Sequence, residues 1–368
     1  MIAGGGTAGH VLPGLAVAAE LVAGGRAASE IIFVGSRRGH EATLVPEAGY
    51  DVVLLPGRGV PRSISLAALR SIVEIVRGVF VAVGTIRRLR PSVVMTLGGY
   101  ASVPAAVAAV IWRVPIVVTD QNARAGAANR FVGRFARASA VAFEDTDLPR
   151  ATVCGNPVRQ EIRRLAVDPA ASRSVARSEL EVGDRIMIAV FSGSLGSRRI
   201  NTAVRDLVID WQHRGDLVVH HVIGRREAET FVPPALPEPV GDPTGRIAYH
   251  CADYTDRMDV ILAAADLAVC RAGGSTVAEL AVAGVPSILV PLPIAPRDHQ
   301  RYNAAELVGA GAAVLVDDDD CDAVRLAAEI SSMLADPSTL PTMSDAARRL
   351  GRPDAARAVA QLVEATAR

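Results

Sequence analysis

No lysine occurs anywhere in the 368-residue chain, so all 39 of its basic side chains are arginines. A Walker-type phosphate loop needs a lysine to reach the β- and γ-phosphates, and that nucleotide chemistry is excluded at the outset. Long hydrophobic runs are missing as well. The most apolar stretches are 72–86, interrupted by Glu74 and Arg77, and 101–118, interrupted by Pro104, Arg113 and Pro115. A membrane span needs roughly 20 mostly apolar residues without such breaks. The four cysteines, Cys154, Cys251, Cys270 and Cys321, form no C-x-x-C pair and no secreted-type framework, and they read as reduced thiols. The N-terminus lacks the succession of basic region, apolar core and cleavage site that marks a secretory signal. These absences predict a cytoplasmic location. No repeat at roughly 20–50 residues is present, and the only low-complexity tract is DDDD (317–320). That acidic run follows a strand-like segment and reads as solvated rather than metal-binding.

What is present is material for large cores. Half of the residues are apolar, and a chain of this length usually divides into about two domains. The net charge is zero but unevenly spread: residues 1–165 hold 19 arginines against 11 acidic residues, and residues 166–368 hold 20 against 28. A basic half beside an acidic half points the first toward a polyanion or an anionic surface, with scatter among solvated faces as the alternative.

Strand-like runs alternate with helical ones throughout. Strands are predicted at 31–35, 52–55, 93–97, 115–119 and 140–143, then at 186–191, 217–223, 247–250, 267–270, 287–290 and 313–316. Helices are predicted near 14–24, 41–48, 65–90, 101–112 and 125–136, then near 198–212, 256–264, 276–283, 301–309, 322–335, 338–350 and 353–367. This alternation predicts an α/β architecture of two doubly wound, Rossmann-like domains with parallel sheets. The expected boundaries are 1–157 and 158–340, with helices over 341–368 packing back on the first domain. Only Met1–Ala3 precede the first glycines, which makes the first strand short and points to a start further upstream.

Four glycine-rich turns stand out: GGGTAGH (4–10), LGGYAS (97–102), SGSLGS (192–197) and RAGGSTVAE (271–279). In open α/β sheets ligands bind beyond the carboxyl ends of the strands, where glycines let backbone N–H groups approach a phosphate and helix dipoles favour anions. Two such turns in each half point to diphosphate chemistry. Residues 4–9 match G-x-G-x-x-G, but IIFVGSRR (31–38) ends in arginines where a dinucleotide site wants an acidic residue. A dehydrogenase is therefore disfavoured.

The segments GGGTAGHVLPGLAVA, LGGYASVPA, QNARAGAANR, GNPVR, SGSLGSRRIN, CRAGGSTVAELAVAGVPSILVPLP and DHQRYNA run in this order along the whole chain. Together they resemble the MurG family of peripheral-membrane glycosyltransferases. The resemblance implies a GT-B fold, two Rossmann-like domains facing across a cleft. It also implies inverting transfer of GlcNAc from UDP-GlcNAc to the C4 hydroxyl of MurNAc in undecaprenyl-diphospho-MurNAc-pentapeptide (lipid I), giving lipid II, without a metal or other cofactor. By the same resemblance the C-terminal domain holds the donor. Glu279 then binds the ribose hydroxyls, although Thr276 to Glu279 also reads as a helix capping box. Ser194 and the backbone of Gly274, Ser275 and Thr276 cradle the diphosphate, Thr255 lies at the uracil, and His299 and Gln300 read the sugar hydroxyls. Asn122, Arg159, Thr7, Ala8 and Gly9 contact the donor or order the site; Arg159 has a hinge ion pair as its alternative.

On the acceptor side the resemblance makes His10 the base or the group that orients the hydroxyl, a role suited to imidazole near neutral pH. Its alternative is a histidine packed in a turn. Thr7, Gly98, Gly99 and Tyr100 face the lipid diphosphate. Residues 66–90 place Val73, Val76 and Phe80 at helical spacing among Arg70, Arg77, Arg87, Arg88 and Arg90. That pattern suits an anionic membrane surface, here the cytoplasmic face of the cell membrane, or else a core-facing helix with a solvated arginine face. Implied partners are the two substrates, the membrane, and cell-wall and division proteins, with no nucleic acid. The chain departs from the family pattern at Ala8, at Thr119-Asp120 and at Leu195. Rival readings are a related GT-B enzyme with another lipid or natural-product acceptor, and a non-catalytic nucleotide-sugar-binding subunit.

Overall fold

A computed structural model describes residues 1–37, 39–56, 66–236 and 245–368; the side chains of Ala8 and of 66–72 lie outside the description. The chain forms two units, Met1–Arg159 with Arg352–Arg368, and Gln160–Gly351. The first carries strands β1 (Ile2–Ala3), β2 (Ile32–Ser36), β3 (Asp51–Leu55), β4 (Val94–Thr96), β5 (Ile116–Asp120), β6 (Ala138–Val141) and β7 (Ala151–Val153). All pair in parallel, in the order β3-β2-β1-β4-β5-β6-β7. Its helices are α1 (Ala8–Ala23), α2 (Glu41–Glu47), α3 (Leu66–Leu89), α4 (Ser102–Ile111) and α5 (Ala127–Gly133).

Both faces of this sheet are covered, which is why its strands read as continuous apolar runs. Val34, Val94, Ile116 and Val118 point to one side, against Ala82 and Ile86 of α3, the alanines of α4 and Val132 of α5. Phe33, Met95 and Val117 point to the other, against Val11, Val17 and Leu21 of α1 and Val45 of α2.

The second unit contains α6 (Gln160–Leu165), α7 (Pro169–Glu179), β8 (Ile186–Phe191), α8 (Arg198–Asp210), β9 (Leu217–Val222), α9 (Arg225–Ala228), β10 (Ala248–Ala252), α10 (Met258–Ala264), β11 (Leu267–Cys270), α11 (Gly274–Ala283), β12 (Ser287–Leu289), α12 (His299–Gly309), β13 (Ala313–Leu315), α13 (Ala323–Leu334) and α14 (Thr339–Leu350). Its six parallel strands run β10-β9-β8-β11-β12-β13. The boundary read at 157/158 lies at 159/160, and the expected tail 341–368 is divided. Helix α14 stays with the second unit, while α15 (Ala355–Thr366) joins the first, where Val359, Ala360 and Val363 complete the core around α1.

Two further differences from the sequence reading have simple causes. Helix α1 starts at Ala8 rather than near 14, so His10 sits in the first turn of a helix and not in a loop. Gly14 inside it gives way to Leu97, whose Cδ1 would lie 2.6 Å from an added Cβ, so the helix-breaking residue is there for close packing on the sheet. Helices α6, α7 and α9 went unread. The signal for α7 was present in Asp168, which accepts the Ala171 N–H as N-cap, followed by Pro169 at the first helical position.

Candidate active site

Strand order reverses between β1 and β4 in the first unit and between β8 and β11 in the second. Ligands of open α/β sheets gather at such switch points, and the four glycine turns occupy them.

In the first unit Gly4, Gly5 and Gly6 leave β1 with φ of 154°, 145° and 101°. The Gly5 N–H donates to the Gly98 carbonyl at 3.3 Å. An added Cβ on Gly99, whose φ is 77°, would lie 2.2 Å from the Gly5 carbonyl oxygen. Only glycine lets the two turns meet this closely. Thr7 is the N-cap of α1, yet its hydroxyl bonds His10 Nδ1 at 2.8 Å instead of capping the helix. That bond selects the ring's orientation. With Nδ1–H donating to Thr7, Nε2 carries the lone pair a base requires. Nε2 stands beside Gly98, 3.3 Å from where a Cβ there would be, and Asn129 Nδ2 is 3.2 Å from the same point.

A residue the sequence reading missed lies beneath this loop. Glu41 is 1% exposed. Its Oε2 accepts the Gly6 N–H at 2.8 Å and its Oε1 the Ser36 N–H at 2.5 Å. A Cβ on Gly5, Gly35 or Gly39 would fall 2.3, 2.0 or 2.1 Å from its side chain. The glycines of two loops thus make room for one buried carboxylate, which takes up the Gly6 N–H of the formal G-x-G-x-x-G match. The glycines at 35 and 39, followed by an acidic residue at a helix start, were the readable signal.

Asp120 plays a related part after β5. Its carboxylate accepts the backbone N–H groups of Asn122 and Gly126 at 3.0 Å and Asn129 Nδ2 at 2.9 Å, so it holds Asn122 in place. Thr119 bonds the Thr96 carbonyl at 3.0 Å. Tyr100 donates to the carbonyls of Pro56 and of Glu74 in α3, which turns its hydroxyl toward that helix. Burial, with the Glu74 carboxylate adding, pushes its phenol above the ordinary value. Arg159 is the last residue of the first unit and half-buried. The side chain of Ala8 lies outside the described residues.

In the second unit Ser194 lies in the turn after β8, and its carbonyl accepts the Arg225 N–H at 3.1 Å. Helix α11 begins at Gly274 with Gly273 as a cap that uses no side chain. Thr276 is therefore its third residue and Glu279 its sixth, so the capping-box alternative for Glu279 is overturned. The first N–H groups of a helix have no intrahelical acceptor, which leaves those of Gly274, Ser275 and Thr276 pointing out at a positive dipole end. Arg271, just before them, is nearly buried and donates to the carbonyls of Val290 and Pro291, to Ser197 Oγ and to Asp318.

His299 opens α12, its Nδ1 bonded to the Pro296 carbonyl at 2.9 Å; Gln300 Oε1 accepts the Leu292 N–H at 2.9 Å. Arg297 and Asp298 before them both adopt left-handed φ, 58° and 53°. Such backbone costs about 1–3 kcal/mol per residue and clusters at functional sites; nothing in the sequence announced it. Thr255 Oγ1 accepts the Arg257 N–H at 3.0 Å and lines a cavity of about 230 Å³ with His220, His250 and Tyr254. His220 stacks on His250 at 4.7 Å, and burial with its neighbour lowers its pKa to about 4. His221, 1% exposed between Tyr249 and Asn201, is lowered to about 4 by burial.

Exposed apolar side chains concentrate on one helical layer of the first unit. Val73, Val76 and Phe80 of α3 are 53%, 49% and 74% exposed. Ile111 and Trp112 at the end of α4, and the paired rings of Phe131 and Phe135 at α5, are also exposed. The Phe131–Phe135 pair was not read from the sequence. Arg70 has no described side chain.

Residues 1–141 match the glycosyltransferase family 28 N-terminal domain and residues 187–359 its C-terminal domain. A UDP-N-acetylglucosamine–N-acetylmuramyl-(pentapeptide) pyrophosphoryl-undecaprenol N-acetylglucosamine transferase of Mycolicibacterium smegmatis is 40% identical over 377 residues, covering 100% of this chain and 94% of that protein. A protein of the same name from Leifsonia xyli is 40% identical over 365 residues, covering 99% and 97%. Among solved structures, MurG of Acinetobacter baumannii matches with a TM-score of 0.73 and 26% identity, covering 99% of this chain and 98% of that one.

Proposed function

The chain belongs to glycosyltransferase family 28, and from that premise we propose that it transfers GlcNAc from UDP-GlcNAc to the C4 hydroxyl of MurNAc in lipid I, giving lipid II. The carrying observation is full-length likeness to relatives named for this reaction. The second unit takes the donor. The N–H groups at the start of α11 and the turn 192–197 meet the diphosphate, Glu279 the ribose, Thr255 the base, and His299 and Gln300 the sugar. Fixed dipoles of this kind stabilise the charge that develops on departing UDP.

The first unit takes the acceptor. His10 Nε2 removes the C4 hydroxyl proton as the oxygen attacks the anomeric carbon, the bond to UDP breaks and the configuration inverts. Thr7 holds the ring, and Gly98, Gly99 and Tyr100 shape the surface for the lipid diphosphate. The α3–α5 layer, with its exposed aromatic and apolar residues and nearby arginines, docks on an anionic membrane face, which for this substrate is the cytoplasmic one. No helix among the described residues is long and apolar enough to cross a membrane. Purified protein with UDP-GlcNAc and a short-chain lipid I analogue is expected to release UDP and form the disaccharide. Absence of both across detergent conditions overturns the reading.

A further inference from the structure

The acidic run 317–320 reads from sequence as solvated, but its members differ sharply in the fold. Asp319 has a side chain 98% exposed, and its ion pair with Arg199 is loose at 3.8 Å. Asp317 pairs with Arg301 at the surface. Asp318 is only 16% exposed and takes the Arg271 guanidinium at 2.6 Å, itself 12% exposed. The same guanidinium reaches Ser197 Oγ at 2.7 Å and the Val290 and Pro291 carbonyls at 3.1 Å. Ser197 is the N-cap of α8 and closes the turn after β8. Val290 and Pro291 follow β12, and Gln300 holds the next residue, Leu292. Arg271 opens the turn after β11. One cation therefore ties together the ends of four neighbouring strands, β8, β11, β12 and β13, and Asp318 is its sole anionic partner among these contacts.

We propose that Asp318 is a positioning residue for the donor. By fixing Arg271 it sets the spacing between the turn 192–197 and the N-terminus of α11, without touching the substrate. A planar guanidinium with five donors suits this junction, since each donor has a set direction. Losing the carboxylate leaves a nearly buried cation unbalanced, and the guanidinium then swings away from its carbonyl and hydroxyl partners. The inference rests on the assignment of UDP-GlcNAc to the second unit.

The test compares Asp318→Ala, Asp318→Asn and Asp319→Ala in the full chain. Residues sharing one hydrogen-bonded network couple strongly enough that Asp318→Ala is expected to raise the UDP-GlcNAc KM roughly tenfold. Both kcat at saturating donor and the lipid I KM should stay within about twofold of the parent. Asp318→Asn, which keeps an acceptor toward Arg271, should recover part of the loss, and Asp319→Ala should match the parent. A donor KM that is unchanged or lowered in Asp318→Ala, or that rises equally in Asp319→Ala, overturns the inference. So does a parallel rise in the acceptor KM, which would mark general loosening. Calorimetric titration of the parent with UDP separates this from the premise: a parent that binds no UDP overturns the donor assignment itself.

Discussion

The two units anchor their loops with different buried groups, a lone carboxylate in the first and an arginine–aspartate pair in the second. Each brings two glycine turns to the switch point of a parallel sheet, and in each a nearly buried ionisable side chain anchors loop backbone: in the second unit it joins both turns, in the first it joins the turn 4–10 to the loop after β2. In the first unit that group is Glu41, which accepts N–H groups from Gly6 and Ser36. In the second it is Arg271, which donates to carbonyls and leaves the N–H groups of α11 uncommitted. Glu41 takes up the Gly6 N–H of its loop, whereas Arg271, balanced by Asp318, bonds carbonyls and a hydroxyl and takes up no N–H group at the start of α11. Similar sequence patterns are therefore anchored differently. The difference is consistent with the proposal that the donor diphosphate meets the start of α11 on the second unit.

The largest effect expected from this division is kinetic. His10→Ala should lower kcat about 100-fold or more while UDP binding, measured calorimetrically, stays at the parent's value. Loss of UDP binding would place His10 on the donor side. Next comes packing. Gly35→Ala puts a Cβ 2.0 Å from the Glu41 side chain, and displacing a buried, hydrogen-bonded carboxylate should cost about 3 kcal/mol. Gly273→Ala, whose nearest neighbour is 3.6 Å away, should cost under about 1 kcal/mol as an N-cap change. Equal urea midpoints for the two variants would erase the contrast.

Acidification should act mainly on the second unit. His221 accepts a proton below its ordinary 6.5 when unfolded but only near 4 when folded. The unfolded state then binds more protons between those values, so stability is full above pH 6.5 and falls as pH drops toward 4. From pH 7 to pH 5 the loss from His221 should be about 2 kcal/mol, and His220, also lowered to about 4, adds to it in the same direction. The two tryptophans, Trp112 in the first unit and Trp211 in the second, report each unit separately by fluorescence. A transition of the second unit that does not move with pH would refute this. The smallest effect concerns the apolar layer. Phe80→Ala and Phe131→Ala should each weaken co-sedimentation with anionic vesicles roughly fivefold, and retention equal to the parent would remove that residue from the docking face.

Most of the architecture was legible because parallel strands buried on both faces leave unbroken apolar runs between helical periodicities. IMIAVF and LAVC stand in the fold at the residues read for them, β8 and β11. Failures came where local composition served a tertiary need. Gly9 and Pro13 hid the first turns of α1, which the fold keeps helical from Ala8, and the short α6 and α9 carry too little periodicity to register. For the site, the four glycine turns were visible because each needs a residue type that few alternatives replace. Glu41 and Asp318 were not, since a carboxylate's burial depends on what the fold brings beside it, and one acidic residue in a row of four looks like the next.

Glu41 has one more consequence, which concerns time. A glycine loop completed only by its substrate's phosphate must be ordered afresh in every cycle, and its stability rises and falls with ligand concentration. Here the Gly6 end of the loop is bonded to a carboxylate of the chain itself, so that part of its ordering is met during folding. The backbone that leads into Thr7 and His10 is thus tethered at Gly6 whether or not a ligand is bound.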